Sequence, residues 1–238
     1  LTMDVIIFCG GKGTRMGQET TEKPKPMIEI GGKPILWHIM KIYSQYNFNR
    51  FILPLGYKGE IIEKWFKDNP QDWDIEFIDT GLETLKGGRL KRVEKYVNTN
   101  EFHLTYGDGV SDINLTDLIK FHRENAGIAT VTAVRPPSRF GALEISGNLV
   151  REFQEKSQMQ RGYINGGFFI FSKEIFKYIN SSENCDLEYG PLSDISKEKK
   201  LFAYKHHGFW QCMDGIREKE YLEKLCVEKK FIWLGDNV

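Results

Sequence analysis

From Met3 to His122 short apolar runs alternate with stretches whose apolar residues return at helical spacing, and this alternation restricts the chain more than any other feature. Met3 to Cys9 is an apolar run ending in glycines, the pattern of a strand buried on both faces of a parallel sheet. From Ile35 to Tyr46, residues Leu36, Ile39, Met40 and Tyr43 mark a helix, with Pro34 where a first helical turn tolerates it. Phe51 to Leu55 then reads as a strand, Ile61, Ile62, Trp65 and Phe66 as a helix, and Ile75 to Ile78 as a strand. Leu90, Val93 and Val97 indicate a helix, Phe102 to Tyr106 a strand, and Leu115, Leu118, Ile119 and His122 a further helix. The order predicts an α/β fold with a mainly parallel sheet flanked by helices. Beyond Ala129 the rhythm changes, with strand-like runs at Ala129 to Val134, Phe140 to Ile145, Leu149 to Phe153 and Tyr163 to Phe171. These predict a smaller, mixed β extension, followed by helices at Ile175 to Ile179 and Ile216 to Val227. No repeat or linker divides the chain, so one domain is expected over 1–238, its halves meeting near residue 128.

Lys plus Arg equals Asp plus Glu at 33 each, so no global field favours nucleic acid or an anionic membrane. Phosphate binding must come from a local site. Cys9, Cys185, Cys212 and Cys226 form no C-x-x-C pair and no zinc spacing, which predicts reduced thiols. No apolar run approaches a membrane span and no leader pattern opens the chain, so a cytoplasmic protein is expected.

Gly10-Gly11-Lys12-Gly13-Thr14-Arg15 follows the first strand directly, and its small residues let backbone N–H groups approach a phosphate chain. The alternative is an ordinary tight turn. It is neither a dinucleotide fingerprint, because Met16 stands where the last glycine belongs, nor a P-loop, because no G-K-[ST] occurs. In Lys23-Pro24-Lys25-Pro26-Met27 two prolines favour an extended segment that projects both lysines, toward phosphates or simply into solvent. Asp108, between two glycines, ends a buried strand, and Asp214 ends the apolar stretch from Gly208. Two convergent carboxylates suit Mg²⁺, which keeps waters and takes phosphate oxygens, whereas either alone suits a turn or helix cap.

Together with these segments, Ile30 to Met40, Asp79-Thr80-Gly81, Gly87 to Val93, Thr105 to Val110, Arg139 to Leu143, Phe153 to Lys156, Ile164 to Phe169 and Gly208 to Asp214 closely resemble the glucose-1-phosphate cytidylyltransferases. These are a branch of the sugar nucleotidyltransferase family, and the matches run in family order along nearly the whole chain. The resemblance implies a single-domain Rossmann-like nucleotidyltransferase fold with Gly10, Gly11, Gly13, Thr14 and Arg15 around the triphosphate of CTP. Lys25 would then sit on the phosphates, Asp108 and Asp214 on Mg²⁺, and Gly88 with Arg89 near the cytosine. Tyr106, Gly141, Glu155, Lys156 and Asn165 would line the pocket of the phosphorylated acceptor, with Glu155 accepting from hydroxyls and Lys156 meeting the phosphate. Without the resemblance, Phe153 to Lys156 reads as a strand edge and Asn165 as a turn residue.

The implied reaction is magnesium-dependent transfer from CTP to glucose 1-phosphate, giving CDP-glucose for surface polysaccharide synthesis, in a homo-oligomer with neither nucleic-acid nor membrane partners. Arg15, Lys25, Asp108 and Asp214 would carry catalysis by neutralising charge; the attacking phosphate is already ionised, so no histidine is required. Phe8-Cys9 departs from the family's usual Leu-Ala. The segment from Trp65 to Asp79 is shorter than in typical members and is expected near the active-site mouth, which keeps another phosphorylated sugar or a non-sugar acceptor open. A silent nucleotide-binding regulatory subunit is the third reading, and the retained cations and carboxylates count against it.

Overall fold

A computed structural model describes residues 2–136, 142–154 and 162–237. Among these, β1 (Asp4–Phe8), β2 (Arg50–Leu55), β3 (Asp74–Asp79) and β4 (Glu101–Tyr106) lie parallel in the order β4-β1-β2-β3. The intervening helices are α1 (Ile35–Ser44), α2 (Gly59–Asp68) and α3 (Lys86–Arg92). β1 is buried at every position, as its apolar residues Val5 to Phe8 require of a strand covered on both sides, and buried Asp4 is paired with Arg50 at 3.0 Å. Alternation along the pleat sends Val5 and Ile7 into a core with Leu36, Ile39 and Tyr43, and Ile6 and Phe8 into a second with Leu90, Phe102 and Phe171.

After β5 (Gly109–Ser111) and α4 (Leu115–Asn125), the chain adds β6 (Ala129–Val134), which begins the mixed extension. A hairpin, β7 (Ala142–Ser146) with β8 (Leu149–Gln154), pairs only with itself among the described residues. β9 (Ile164–Asn165) and β10 (Phe169–Ser172) pair antiparallel with β6, and β10 also pairs antiparallel with β4, joining the two halves in one sheet. The expected continuous strand from Tyr163 to Phe171 is therefore interrupted. Asn165 pairs with Ala133 but Ile170 with Thr130, so five steps on one strand oppose three on the other. Gly167 and Phe168 accommodate the surplus at positive φ (71° and 43°).

The short helix α5 (Ser193–Lys197) leads to β11 (Leu201–Lys205), which runs parallel to β6 and was not expected from its sequence. β12 (Trp210–Cys212) then pairs antiparallel with β5, and α6 (Ile216–Val227) follows. Two expected helices are shorter than their apolar patterns suggest. The one marked by Leu90 to Val97 stops at Arg92 and gives way to a 3-10 turn, and Ile175 to Ile179 lies mostly in a 3-10 stretch, Lys173–Lys177. No helix among the described residues is long and apolar enough to cross a membrane.

The connection between Trp65 and Asp79 enters β3 beside Arg50, the first residue of β2. It therefore lies at the amino end of the strands. There Trp73 packs on Phe51 and Phe66, and Gln71 accepts from Trp37 Nε1 at 3.0 Å. That corrects the expectation that this segment borders the site, which occupies the opposite, carboxyl end of the sheet.

His38 and His103 are core residues. The Nε2–H of His38 donates to Ile30 O at 2.7 Å and its Nδ1 accepts from Trp233 at 3.2 Å, which defines a neutral tautomer. His103 is fully buried between Tyr43 and Phe48, and neither ring nitrogen has a hydrogen-bond partner. Burial pushes its pKa down to about 3. The unfolded chain takes up this proton near pH 6.5 and the folded chain does not, so stability present above about pH 6.5 is lost as pH falls toward about 3. His103→Leu is expected to retain roughly 2–3 kcal/mol more of its neutral-pH stability than wild type at about pH 4.5. Denaturant melts at the two pH values check this; an identical acid loss in both proteins would refute it.

Candidate active site

Phe8 and Tyr106 are register partners, so β1 and β4 end side by side. The chain adds β2 and β3 on one side of β1 and then returns to place β4 on the other. The crevice between their carboxyl ends is thus the point where strand order reverses, the place where open α/β sheets bind ligands. The glycine loop leaves β1 there and Gly107-Asp108 leaves β4. A cavity of about 620 Å³ opens between them, lined by Gly10, Gly11, Gly13, Thr14, Arg15, Lys25, Arg89, Tyr106, Asp108, Asn165 and Asp214 among others.

Gly13 has φ +60°, and a side chain on it would press on Lys25 Cβ at 2.8 Å. A Cβ on Gly10 would collide with the Arg89 guanidinium. Close approach, rather than a loose turn, is thus what two of these glycines supply. Lys25 is not in a fully extended segment as expected. Pro24 is extended, but Lys25–Met27 closes one 3-10 turn through Met27 N–H to Pro24 O at 2.9 Å. Pro26 sits in that turn without loss, since no partner is needed for a nitrogen in a first turn.

Asp108 and Asp214 are brought together by backbone pairing, not by sequence proximity. β5 and β12 pair through Gly109 and Cys212, and Met213 N–H donates to Asp108 O at 2.7 Å. Lys25 Nζ stands 2.8 Å from Asp108 Oδ2 and 3.9 Å from Asp214 Oδ1, while Arg15 Nη1 reaches Asp214 Oδ2 at 2.8 Å. Lys25 is nearly buried, with its side chain 12% exposed, whereas that of Arg15 is 77% exposed. The Arg15 pair is therefore solvent-screened. Lys25 is a fixed charge.

Arg89 lies beneath the glycine loop and is 4% exposed. Its guanidinium donates to Gly10 O, Leu55 O, Thr80 Oγ1, Gly81 O and Leu82 O at 2.7–3.2 Å. It borders the cavity, but these bonds commit it to tying three loops at one sheet end. Gly88 is not among the cavity-lining residues; a Cβ there would collide with Ser182 O, and one on Gly87 with Asp186 O. The glycine pair lets the 182–188 segment pack on the start of α3.

Tyr106 and Asn165 do meet in the cavity. Asn165 Nδ2–H donates to the Tyr106 hydroxyl at 2.8 Å, and Gly167 N–H donates to Asn165 Oδ1 at 2.9 Å, so the bulge between β9 and β10 sets the amide orientation. Gly141, Glu155 and Lys156 lie outside the described residues. Lys86 and Glu188 were not singled out from sequence, yet both line the cavity. No local signal marks either, since each reads as a surface charge. Burial pushes up the thiols of Cys9 and, with help from Asp108, Cys212, so neither cavity cysteine is a thiolate nucleophile.

The crevice thus gathers a glycine loop, a nearly buried lysine, an exposed arginine and a carboxylate pair at the ligand-binding end of an open α/β sheet. The chain is a member of the nucleotidyl transferase family, whose model matches residues 4–211. It is 42% identical to the glucose-1-phosphate cytidylyltransferase of Salmonella typhi over 97% of this chain and 98% of that one. It is 40% identical to a Bacillus subtilis protein named "Probable glucose-1-phosphate cytidylyltransferase", over 97% and 99%. The crystal structure of HddC from Yersinia pseudotuberculosis superposes with a TM-score of 0.70 at 27% identity, covering 96% of this chain and all of that one.

Proposed function

We propose that this protein transfers the cytidylyl group of CTP to glucose 1-phosphate, forming CDP-glucose and releasing pyrophosphate. The observation that carries this is similarity at 40–42% identity over nearly the full length of relatives bearing that name. An oxygen of the acceptor phosphate attacks the α-phosphorus in line, a new P–O bond forms, and the bond to the β-phosphate's bridging oxygen breaks. Lys25 holds positive charge at fixed distance from the reacting phosphates, and Arg15 exchanges Asp214 for a phosphate oxygen. The glycine loop orients the triphosphate, with Arg89 holding its backbone in place.

Asp108 and Asp214 fit a divalent cation, because both carboxylates converge on the one Lys25 ammonium and are hard oxygen donors. Arg15, Lys25 and the two aspartates are together neutral, and Mg²⁺, when bound, supplies the excess positive charge that a triphosphate calls for.

Selection of CTP follows from the Gly87 to Val93 segment, acting through the loops that Arg89 pins, since unmatched polar groups at a base edge discriminate strongly. We expect kcat/KM for CTP to exceed that for UTP, ATP and dTTP by about 10²-fold or more. Pyrophosphate release across a panel of nucleotides and phosphorylated acceptors tests both halves of the reading. Equal use of UTP would reject cytidylyl transfer within the family, and a strong preference for another acceptor would reject glucose 1-phosphate alone.

A further inference from the structure

Two walls of the cavity carry charge, and sheet order separates them. β1 carries the glycine loop, while β4 stands between β1 and β10, with β6 and β9 beyond. Tyr106, at the end of β4, and Asn165, in β9, therefore build a polar wall displaced from the glycine loop toward the other edge of the sheet. Lys86 reaches this wall from the start of α3. Its Nζ lies 5.0 Å from the Tyr106 ring centroid and 2.5 Å from Glu188 Oε1, and its side chain is 40% exposed. Arg89, the other α3 cation that borders the cavity, is committed to its five acceptors at the sheet end.

The polarity of the wall follows from its hydrogen bonds. Gly167 N–H occupies Asn165 Oδ1, so the amide nitrogen donates to the Tyr106 hydroxyl at 2.8 Å, and that hydroxyl donates to Glu188 Oε1 at 2.7 Å. The other Glu188 oxygen is buried. What the wall offers a ligand is therefore donors. An ammonium has three N–H groups and no acceptor, and an amide nitrogen has two. Glu188 takes one hydrogen from Lys86 and Tyr106 one from Asn165, so both nitrogens keep hydrogens for the cavity. Glu188 also balances the Lys86 charge. An uncharged oxygen suits this pair better than a carboxylate or phosphate, which would set a second anion beside Glu188.

Backbone packing holds the ammonium in this place. Leu85 N–H donates to Glu183 O at 2.8 Å and Gly88 N–H to Cys185 O at 2.9 Å, locking the 182–188 segment onto α3, where Gly87 and Gly88 leave no side chain in the way. Leu187 is anchored in the core, which fixes Glu188 next to it. Glu188 is thus a positioning residue for Lys86.

Resting on the cytidylyl transfer proposed above, we infer that Lys86 is a specificity-determining residue whose ammonium, held by Glu188, donates to a hydroxyl oxygen of the acceptor sugar. Lys86→Met keeps the aliphatic stem and removes every donor. With CTP and the best acceptor of wild type, it is expected to lower kcat/KM by about 10²-fold through the KM of the acceptor, leaving the KM of CTP unchanged. Deoxy analogues of that acceptor, each lacking one hydroxyl, are then compared in both proteins. One of them is expected to cost wild type about 10²-fold and the variant little, which identifies the hydroxyl. An amino group at the same carbon sets a donor against a donor, and wild type is expected to use that analogue no better than the deoxy one. Thermal melts accompany the assays, and Lys86→Ala is read in the same way if Lys86→Met does not fold. An effect confined to the KM of CTP, equal penalties in both proteins, or a variant changed only in melting temperature would overturn the inference. So would a wild type indifferent to every deoxy and amino analogue. A wild type that turns over no phosphorylated sugar with CTP would instead reject the reaction on which the inference rests.

Discussion

Asp108→Asn and Asp214→Asn are each expected to reduce pyrophosphate release to background, a loss on the order of 10³-fold or more, with the melting temperature little changed. The fold is spared because the link between the two residues runs through backbone: Met213 N–H to Asp108 O, and the pairing of β5 with β12. The chemistry is not. Either substitution removes one of the two anionic ligands offered to a divalent cation and leaves Arg15 or Lys25 with altered company. Assays with and without Mg²⁺, alongside thermal melts, separate these effects. Near-normal turnover in both variants, or full activity in chelator, would reject the site.

Lys25→Ala is expected to lower kcat by roughly 10²-fold or more, because a nearly buried ammonium is a preorganised charge that solvent does not replace. A second readout separates this from a structural role. Without Lys25 the Asp108 carboxylate loses its cation while Asp214 keeps Arg15, so the variant is expected to require less Mg²⁺ for half-maximal activity while turning over more slowly. A lysine that only braces the loop would lower the melting temperature and leave both kcat and the magnesium requirement unchanged. Lys25→Arg is not expected to restore the rate, since a planar guanidinium fork does not reproduce the point charge that Lys25 Nζ places 2.8 Å from Asp108.

Much of the fold is legible in the chain because it depends on local pattern. The run from Met3 to Cys9 contains the observed strand Asp4–Phe8, the run from Ala129 to Val134 matches β6, and α6 has the expected limits of Ile216 and Val227. β11 escapes notice because Leu201 to Tyr204 is an apolar run with no polar alternation, although in the folded strand half-buried Phe202 and Tyr204 alternate with exposed Ala203 and Lys205. Its strand conformation comes from pairing with β6, some seventy residues away in sequence. The break between β9 and β10 is hidden for a related reason, since Gly166-Gly167-Phe168 sits inside an apolar run and only the register against β6 reveals two surplus residues. The α2–β3 connection shows the opposite error, a segment assigned to the wrong end of the sheet, because strand direction is a property of the assembled sheet.

By itself the sequence determined which segments could be buried strands and helices, that a glycine loop leaves β1, and that Arg15, Lys25, Asp108 and Asp214 are of the right chemistry for phosphate and metal. Those are properties of side-chain type and spacing over a few residues. Only the tertiary structure decided which of them meet. Asp214 reaches Asp108 across more than a hundred residues through the β5–β12 pairing, Arg89 turns inward to five acceptors at one end of the sheet, and Lys86 and Glu188 become neighbours because Gly87 and Gly88 admit the 182–188 backbone. Each of these contacts depends on register and close packing between distant segments, and no local periodicity encodes that.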